Sequence, residues 1–288
     1  MRNRNHPTFQ GRPLANPDED IFDQGLRFDL QTVMGRRGML RILGLGAGAL
    51  ALAACGADPS ASDGSGASAS GSAASCESEI PEETAGPFPG DGSNGPDMLS
   101  QSGVVRRDIT ASFGEATGTA EGVPLAIALH LTDVDNGCAP YAGAAVYVWQ
   151  CDREGRYSLY SDGAEDQNYL RGVQEADADG VVTFDSIFPA CYQGRWPHIH
   201  FEVYPSLADA GDVANAIATS QIALPADTSE LVYATAGYEQ SVSTLSQVSL
   251  DGDNIFGEDG GQRQIGTVTG TIDDGLAVAL DVPVSATA

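Results

Sequence analysis

Lysine is missing from the 288-residue chain, whose 14 basic residues are all arginines. A lysine nucleophile or Schiff base is thereby excluded. Positive charge of any kind is scarce: 40 acidic side chains leave a formal net charge of -26. A chain with so little basic surface repels phosphates, which excludes a protein that grips nucleic acid through a basic face. The five cysteines include no CxxC pair, so a structural zinc site is not expected. The apolar run from Ile42 to Ala54 falls well short of the roughly twenty residues that span a bilayer. What is present is a 42% hydrophobic content, 35 glycines, 15 prolines and many short apolar runs. These suit a β-rich fold of one or two domains better than a helical one.

The first 54 residues read as an address. Arg36-Arg37 precede the apolar run, and Leu52-Ala53-Ala54-Cys55 follows it. The pair resembles a twin-arginine export signal, and the tetrapeptide resembles a bacterial lipobox whose cysteine is lipidated. The expectation is export, with anchoring to the outer face of a bacterial cell membrane through Cys55, or secretion. Residues 1–54 carry seven arginines against five acids, so the remainder is more acidic still by two charges. Residues 55–75 hold Ser, Gly, Ala and Asp with nothing to bury and are expected to form a flexible tether. Residues 76–122 are expected to be an arm packing on the domain, and 123–288 the domain itself. Cys76, Cys138, Cys151 and Cys191 permit two disulfides in any of three pairings, or reduced core thiols.

Strand periodicity begins at Val123, with Leu125, Ile127, Leu129 and Leu131 on one side and Ala126, Ala128 and His130 on the other. Ala144 to Gln150 sets Val146 and Val148 opposite Tyr147 and Trp149. Val181 to Ile187, His198 to Tyr204, Ser220 to Leu224, Gly266 to Ile272 and Leu276 to Val282 complete the set, the last two joined by Asp273-Asp274-Gly275. An all-β antiparallel sandwich with long loops follows. Leu207 to Thr219 is expected to be a short helix or a loop. The acidic stretch Glu175 to Gly180 mimics the start of a calcium loop, but position twelve is Ser186 where a bidentate glutamate is needed, so it reads as a hairpin turn.

On a strand, His198 and His200 share a face while Ile199, Phe201 and Val203 point into the core. Two imidazoles at this spacing can chelate a metal, or can be an ordinary surface pair. Further donors are needed, and Tyr192 and Tyr157, in Gly155-Arg156-Tyr157-Ser158, are the candidates. A hard trivalent cation displaces a phenolic proton readily, so two phenolates and two imidazoles suit iron(III), Fe(3+). Each tyrosine by itself is as compatible with packing.

Together with Thr84-Ala85-Gly86-Pro87-Phe88, Arg107-Asp108-Ile109, Val146 through Asp152, Leu170 through Gln174, and Tyr192 through Arg195 to His198-Ile199-His200-Phe201, these residues resemble the intradiol ring-cleavage dioxygenases. That family includes the catechol 1,2-dioxygenases and protocatechuate 3,4-dioxygenases. The resemblance covers about residues 80 to 225. It implies Tyr157 and His198 as equatorial and Tyr192 and His200 as axial ligands of one Fe(3+). It further implies a catechol substrate opened by O2 between its two hydroxyls to a cis,cis-muconate-type diacid. Tyr192 would leave the metal and accept a substrate proton, Arg195 would stabilise negative charge on the ring, and Gln221 resembles a family glutamine near the metal.

Ala190 stands where the family usually has glycine, and the segment between Tyr192 and His198 is short, which implies a more open pocket for larger or substituted catechols. A helical dimerisation region like that of the catechol 1,2-dioxygenases is missing, so no oligomeric state is carried over. His130 reads as a structural or surface histidine. Arg171 either pairs with a carboxylate or lines the pocket. The rival readings are a non-catalytic β-sandwich binding module and a copper or zinc protein using the two histidines alone.

Overall fold

Apolar residues at every second position make Pro124–Asp133 the central strand, β1: Leu125, Ile127, Leu129 and Leu131 are at most 1% exposed, while the intervening side chains face outward. The computed structural model describes residues 78–286, and in addition the backbone pairing of Thr8–Phe9 with Arg12–Pro13. After β1 come β2 (Ala139–Pro140), β3 (Ala145–Trp149), β4 (Arg171–Glu175), β5 (Val181–Ile187), β6 (His198–Tyr204) and β7 (Ala218–Ala223). Two short helices follow, α1 (Ala226–Tyr233) and α2 (Glu239–Leu245), and then β8 (Thr267–Thr271) and β9 (Gly275–Val284). One sheet runs β8-β9-β1-β2, with β5 also paired to β1; the other runs β4-β3-β6-β7. Leu125, Ile127, Leu129, Val146, Val148, Phe184, Ile199, Phe201, Ile222 and Val278 meet between them in one core. The all-β sandwich expected from periodicity is the fold found.

Four details differ from expectation. First, β9 lies parallel to β1, with Leu276 opposite Leu125 and Val284 opposite Asp133. Strands β2 to β8 all lie between β1 and β9 in the chain, and only such a long connection lets strands pair in parallel. Second, the Asp177 turn is closed by bonds from Gly180 N to Asp177 O and from Val181 N to Asp177 Oδ1, but β4 and β5 belong to different sheets, so it is a crossing between layers and not a hairpin. Third, Cys138 is in a disulfide, whereas Cys151 and Cys191 are free and buried, which rules out two bridges among the four candidates. Their thiols point at Ala190 O (3.7 Å) and Arg195 O (3.5 Å), and burial pushes the Cys191 thiol up to about 12.

The fourth is α1 and α2, which alternation could not reveal. They brace the segment that carries Tyr192. Tyr238 Oη donates to Phe188 O (2.7 Å), Tyr233 Oη to Pro189 O (3.1 Å), and Ser241 Oγ accepts from Cys191 N (3.0 Å). The segment Leu207 to Thr219 holds two single 3-10 turns, at Asp209–Gly211 and Val213–Asn215, before β7 begins. Residues 78–122 run along both sheets, with Ile80 N bonded to Pro283 O and Leu170 N to Ile109 O. No helix among the described residues is long and apolar enough to cross a membrane.

Candidate metal centre

All seven residues of β6 are buried, and the two-residue pleat puts both imidazoles on the face away from the core. Trp149, opposite His200 in the β3–β6 register, stacks on that ring at 4.9 Å and 8°. On the other side lies Gly86 at φ +72°, where a Cβ would stand 3.2 Å from His200 Cε1. Only glycine combines that left-handed backbone with so close an approach. The Thr84–Phe88 motif is thus explained by a backbone laid over an imidazole.

Tyr157 is aimed by the turn after β3. Buried Asp152 accepts from Glu154 N (3.0 Å) and Arg156 N (2.9 Å) through Oδ1, and from Tyr169 Oη (2.9 Å) through Oδ2. Leu159, two residues beyond the tyrosine, sits at φ +74°, an unfavourable conformation for a branched side chain. Arg171 holds this turn to the Gly86 segment: its guanidinium donates to Ser158 Oγ and O (both 3.0 Å), Phe88 O (2.9 Å), Pro89 O (2.6 Å) and Tyr147 Oη (3.1 Å). Neither role considered from the sequence is the one found. Arg171 is a buried latch, with no carboxylate among these partners.

Tyr157 Oη, Tyr192 Oη, His198 Nε2 and His200 Nε2 converge. Tyr157 Oη lies 3.4 Å from Tyr192 Oη, 3.4 Å from His198 Nε2 and 3.2 Å from His200 Nε2. Tyr192 Oη is 3.1 Å from His198 Nε2, and the two Nε2 atoms are 3.0 Å apart. His198 Nδ1 bonds to Trp196 O at 2.5 Å, which puts its proton there and leaves Nε2 as a bare lone pair. At most three protons, two phenolic and one on His200, are then available for five contacts. Four donors with more lone pairs than protons, at the roughly 3.3 Å spacing of ligands around one small ion, fit a cation. His200 Nδ1 is buried without a partner. Among the described residues no group of three or more His, Cys, Asp or Glu could hold a metal, so this mixed set is the candidate.

The electrostatics agree. Burial, and then the Arg195 charge, drop the His198 imidazolium to about 3, and burial with His198 beside it holds His200 well below its usual value. Both are neutral donors at pH 7. Burial raises the Tyr157 phenol well above its ordinary range and Tyr192 to about 12. Neither phenol ionises unaided, so a strongly polarising, hard ion is the kind that would displace their protons.

Arg195, expected to stabilise negative charge on the ring, is 2% exposed. Its Nη2 donates to Gln221 Oε1 (2.7 Å) and Nη1 stands 3.4 Å from His198 Nε2. Gln221, opposite His200 on β7, also donates to Thr84 O (3.1 Å). All six site residues expected from the sequence come together. His130 is remote, paired with Asp281 at 3.1 Å and half-exposed. Sequence reasoning missed Asp253, which bonds Arg195 Nε at 3.0 Å. It stands 58 residues from its partner in a loop with no periodic pattern, and only the acidic turn Asp251-Gly252-Asp253-Asn254 marks the place.

A family model described as Dioxygenase matches residues 94–207, which takes in both tyrosines, both histidines and Arg195. The intradiol ring-cleavage dioxygenase of Tetranychus urticae is similar in structure, with a TM-score of 0.58 and 26% identity, over 73% of this chain and 96% of that one. A second solved dioxygenase has a TM-score of 0.59 at the same identity and coverage. The chlorocatechol 1,2-dioxygenase of Rhodococcus opacus is 37% identical over 59 residues, 20% of this chain and 23% of that protein. The chain therefore spans under a quarter of that relative's length.

Proposed function

From its similarity to the intradiol ring-cleavage dioxygenases we propose that the chain is an iron(III)-dependent enzyme that opens catechol-type rings between their hydroxyls with O2 to give cis,cis-muconate-type diacids. The observation that carries the reading is the convergence of two phenol oxygens and two imidazole nitrogens within 3.0–3.4 Å. Tyr157, Tyr192, His198 and His200 would hold the ion. Bound there, iron(III) would supply Lewis-acid and redox chemistry to a chelated catechol.

The remaining work falls to the protein. Tyr192 is partly exposed as a residue, unlike the other three donors, so Tyr192, held as the phenolate, would be the one to take a proton from an arriving substrate hydroxyl. Arg195 Nη1, the arm turned towards the cluster, stabilises negative charge that develops on the ring in a site of low dielectric. Gln193 and Gly194, which follow Tyr192, are exposed, in keeping with room for substituted catechols. We also propose export and lipid anchoring through Cys55, which lies outside the described residues, as does the 55–75 tether. Cys55→Ala should move the protein from the membrane fraction to the medium.

The decisive experiment is oxygen uptake on a panel of catechols with the ring-opening position identified. Purified protein with bound iron, a visible phenolate-to-iron absorption and muconate-type products is expected. Ring opening beside the hydroxyls, or a colourless protein that binds catechols without turnover, would replace this reading with another cleavage mode or with the binding module.

A further inference from the structure

A guanidinium on a flexible stem is useful in a reaction only if something fixes which of its N–H groups faces the substrate. Around Arg195 that something is visible. Nε donates to Asp253 Oδ2 at 3.0 Å, and Nη2 to Gln221 Oε1 at 2.7 Å, so two edges of the fork are committed and Nη1 remains, 3.4 Å from His198 Nε2. Asp253 is itself immobilised. Its Oδ2 also accepts from Trp196 N (2.6 Å), and its Oδ1 accepts from Ile255 N (2.8 Å) and Phe256 N (3.2 Å). With side-chain exposures of 2% and 0%, the pair has no water to exchange with, and the Phe256 ring lies 5.9 Å from the guanidinium carbon.

We propose that Asp253 is a positioning residue for the reaction: its backbone-anchored carboxylate holds Arg195 with Nη1 turned to the four-donor cluster, and its charge offsets the arginine's beside a buried cation. This rests on the dioxygenase reading above. Asp253 lies outside the matched residues 94–207, in a loop that packs Ile255 and Phe256 with Trp196 and Ala223. A plain structural ion pair would need no further arm turned to the cluster, and a buried pair is by itself weak evidence for stability.

The test begins with iron-free protein. In NMR hydrogen exchange the Arg195 Nε–H should be protected roughly 100-fold over that of Arg263, which is exposed. Equal rates would overturn the clamp, and this measurement needs no variant, iron or substrate. Asp253→Asn keeps the shape and removes the charge. It should release that protection and, in iron-loaded enzyme, lower kcat roughly 100-fold with little change in KM. In an Arg195→Ala background the same substitution should cost nothing further, because it acts through the arginine. Additive losses in that cycle would show a structural role and overturn the proposal. Asp253→Glu, which keeps the charge, should recover part of the rate; a rate no better than that of Asp253→Asn would also overturn it. Wild-type protein with a protected Nε–H but no oxygen uptake would sink the dioxygenase reading and leave the clamp standing. An active enzyme with an unprotected Nε–H would do the reverse.

Discussion

At the scale of single residues, the site is built from contacts that tolerate little change. Gly86 is the sharpest case, because its φ of +72° and the 3.2 Å approach of His200 both act against any side chain. Gly86→Ala should destabilise the fold by about 1–2 kcal/mol and weaken iron binding by tilting His200, read as a lowered Tm and a reduced iron content after dialysis. Tyr157 makes three of the five donor contacts. Tyr157→Phe should abolish most of the visible absorption and lower iron content, whereas a protein using the histidines alone would keep its metal unchanged. Both expectations concern donors that sequence order already singled out. Of the partners that aim them, Arg171 was noticed without its role, and Asp152, Trp149 and Asp253 were not separable from ordinary polar or aromatic residues, because a hydrogen-bond partner distant in the chain leaves no local pattern.

At the scale of elements, the two short helices matter more than their length suggests. They pack on the 188–192 segment and hold it with hydroxyls, and Tyr238 Oη both donates to Phe188 O and accepts from Val123 N at 3.1 Å. Tyr238→Phe leaves a buried carbonyl and a buried N–H without that partner and should cost about 1–3 kcal/mol in urea unfolding. A loss of activity larger than the loss of stability is expected, since the loosened segment carries Tyr192. Strands were legible through their period of two, and β5 and β6 have the bounds that period indicates. The helices were not, for eight and seven residues make barely two turns and give no sustained stripe. Asp227 in the first turn of α1, after Pro225, and Glu239 in the first turn of α2 were the usable start signals.

At the scale of the whole molecule, buried titrating groups pull in opposite directions. His198 titrates at about 3 in the fold against an ordinary 6.5, so the folded iron-free chain binds fewer protons than the unfolded one across that range. Its contribution is complete above pH 6.5 and is lost as pH falls towards 3. Burial raises the Glu83 carboxyl to about 8 from 4.5, so its contribution is complete below pH 4.5 and is lost as pH rises to 8. Glu202, buried beside Asp91, acts in the same direction as Glu83. Stability of the iron-free protein should therefore peak between about pH 4.5 and 6.5, as measured by urea midpoints. Glu83→Gln should flatten the decline between pH 6.5 and 8; an unchanged slope there would count against Glu83 as its source.

Composition and local pattern were sufficient to exclude lysine chemistry, to place most of the strands, and to pick out two tyrosines and two histidines. Those are properties of neighbouring residues and of overall composition, which a chain carries before it folds. That β9 returns parallel to β1, that Cys151 and Cys191 stay reduced, that Arg171 is a latch and that Asp253 grips Arg195 were settled only in three dimensions. Each depends on which distant backbone and side-chain groups burial leaves facing one another, and the energy of burying a polar group is decided by that partner and not by the residues beside it in the chain.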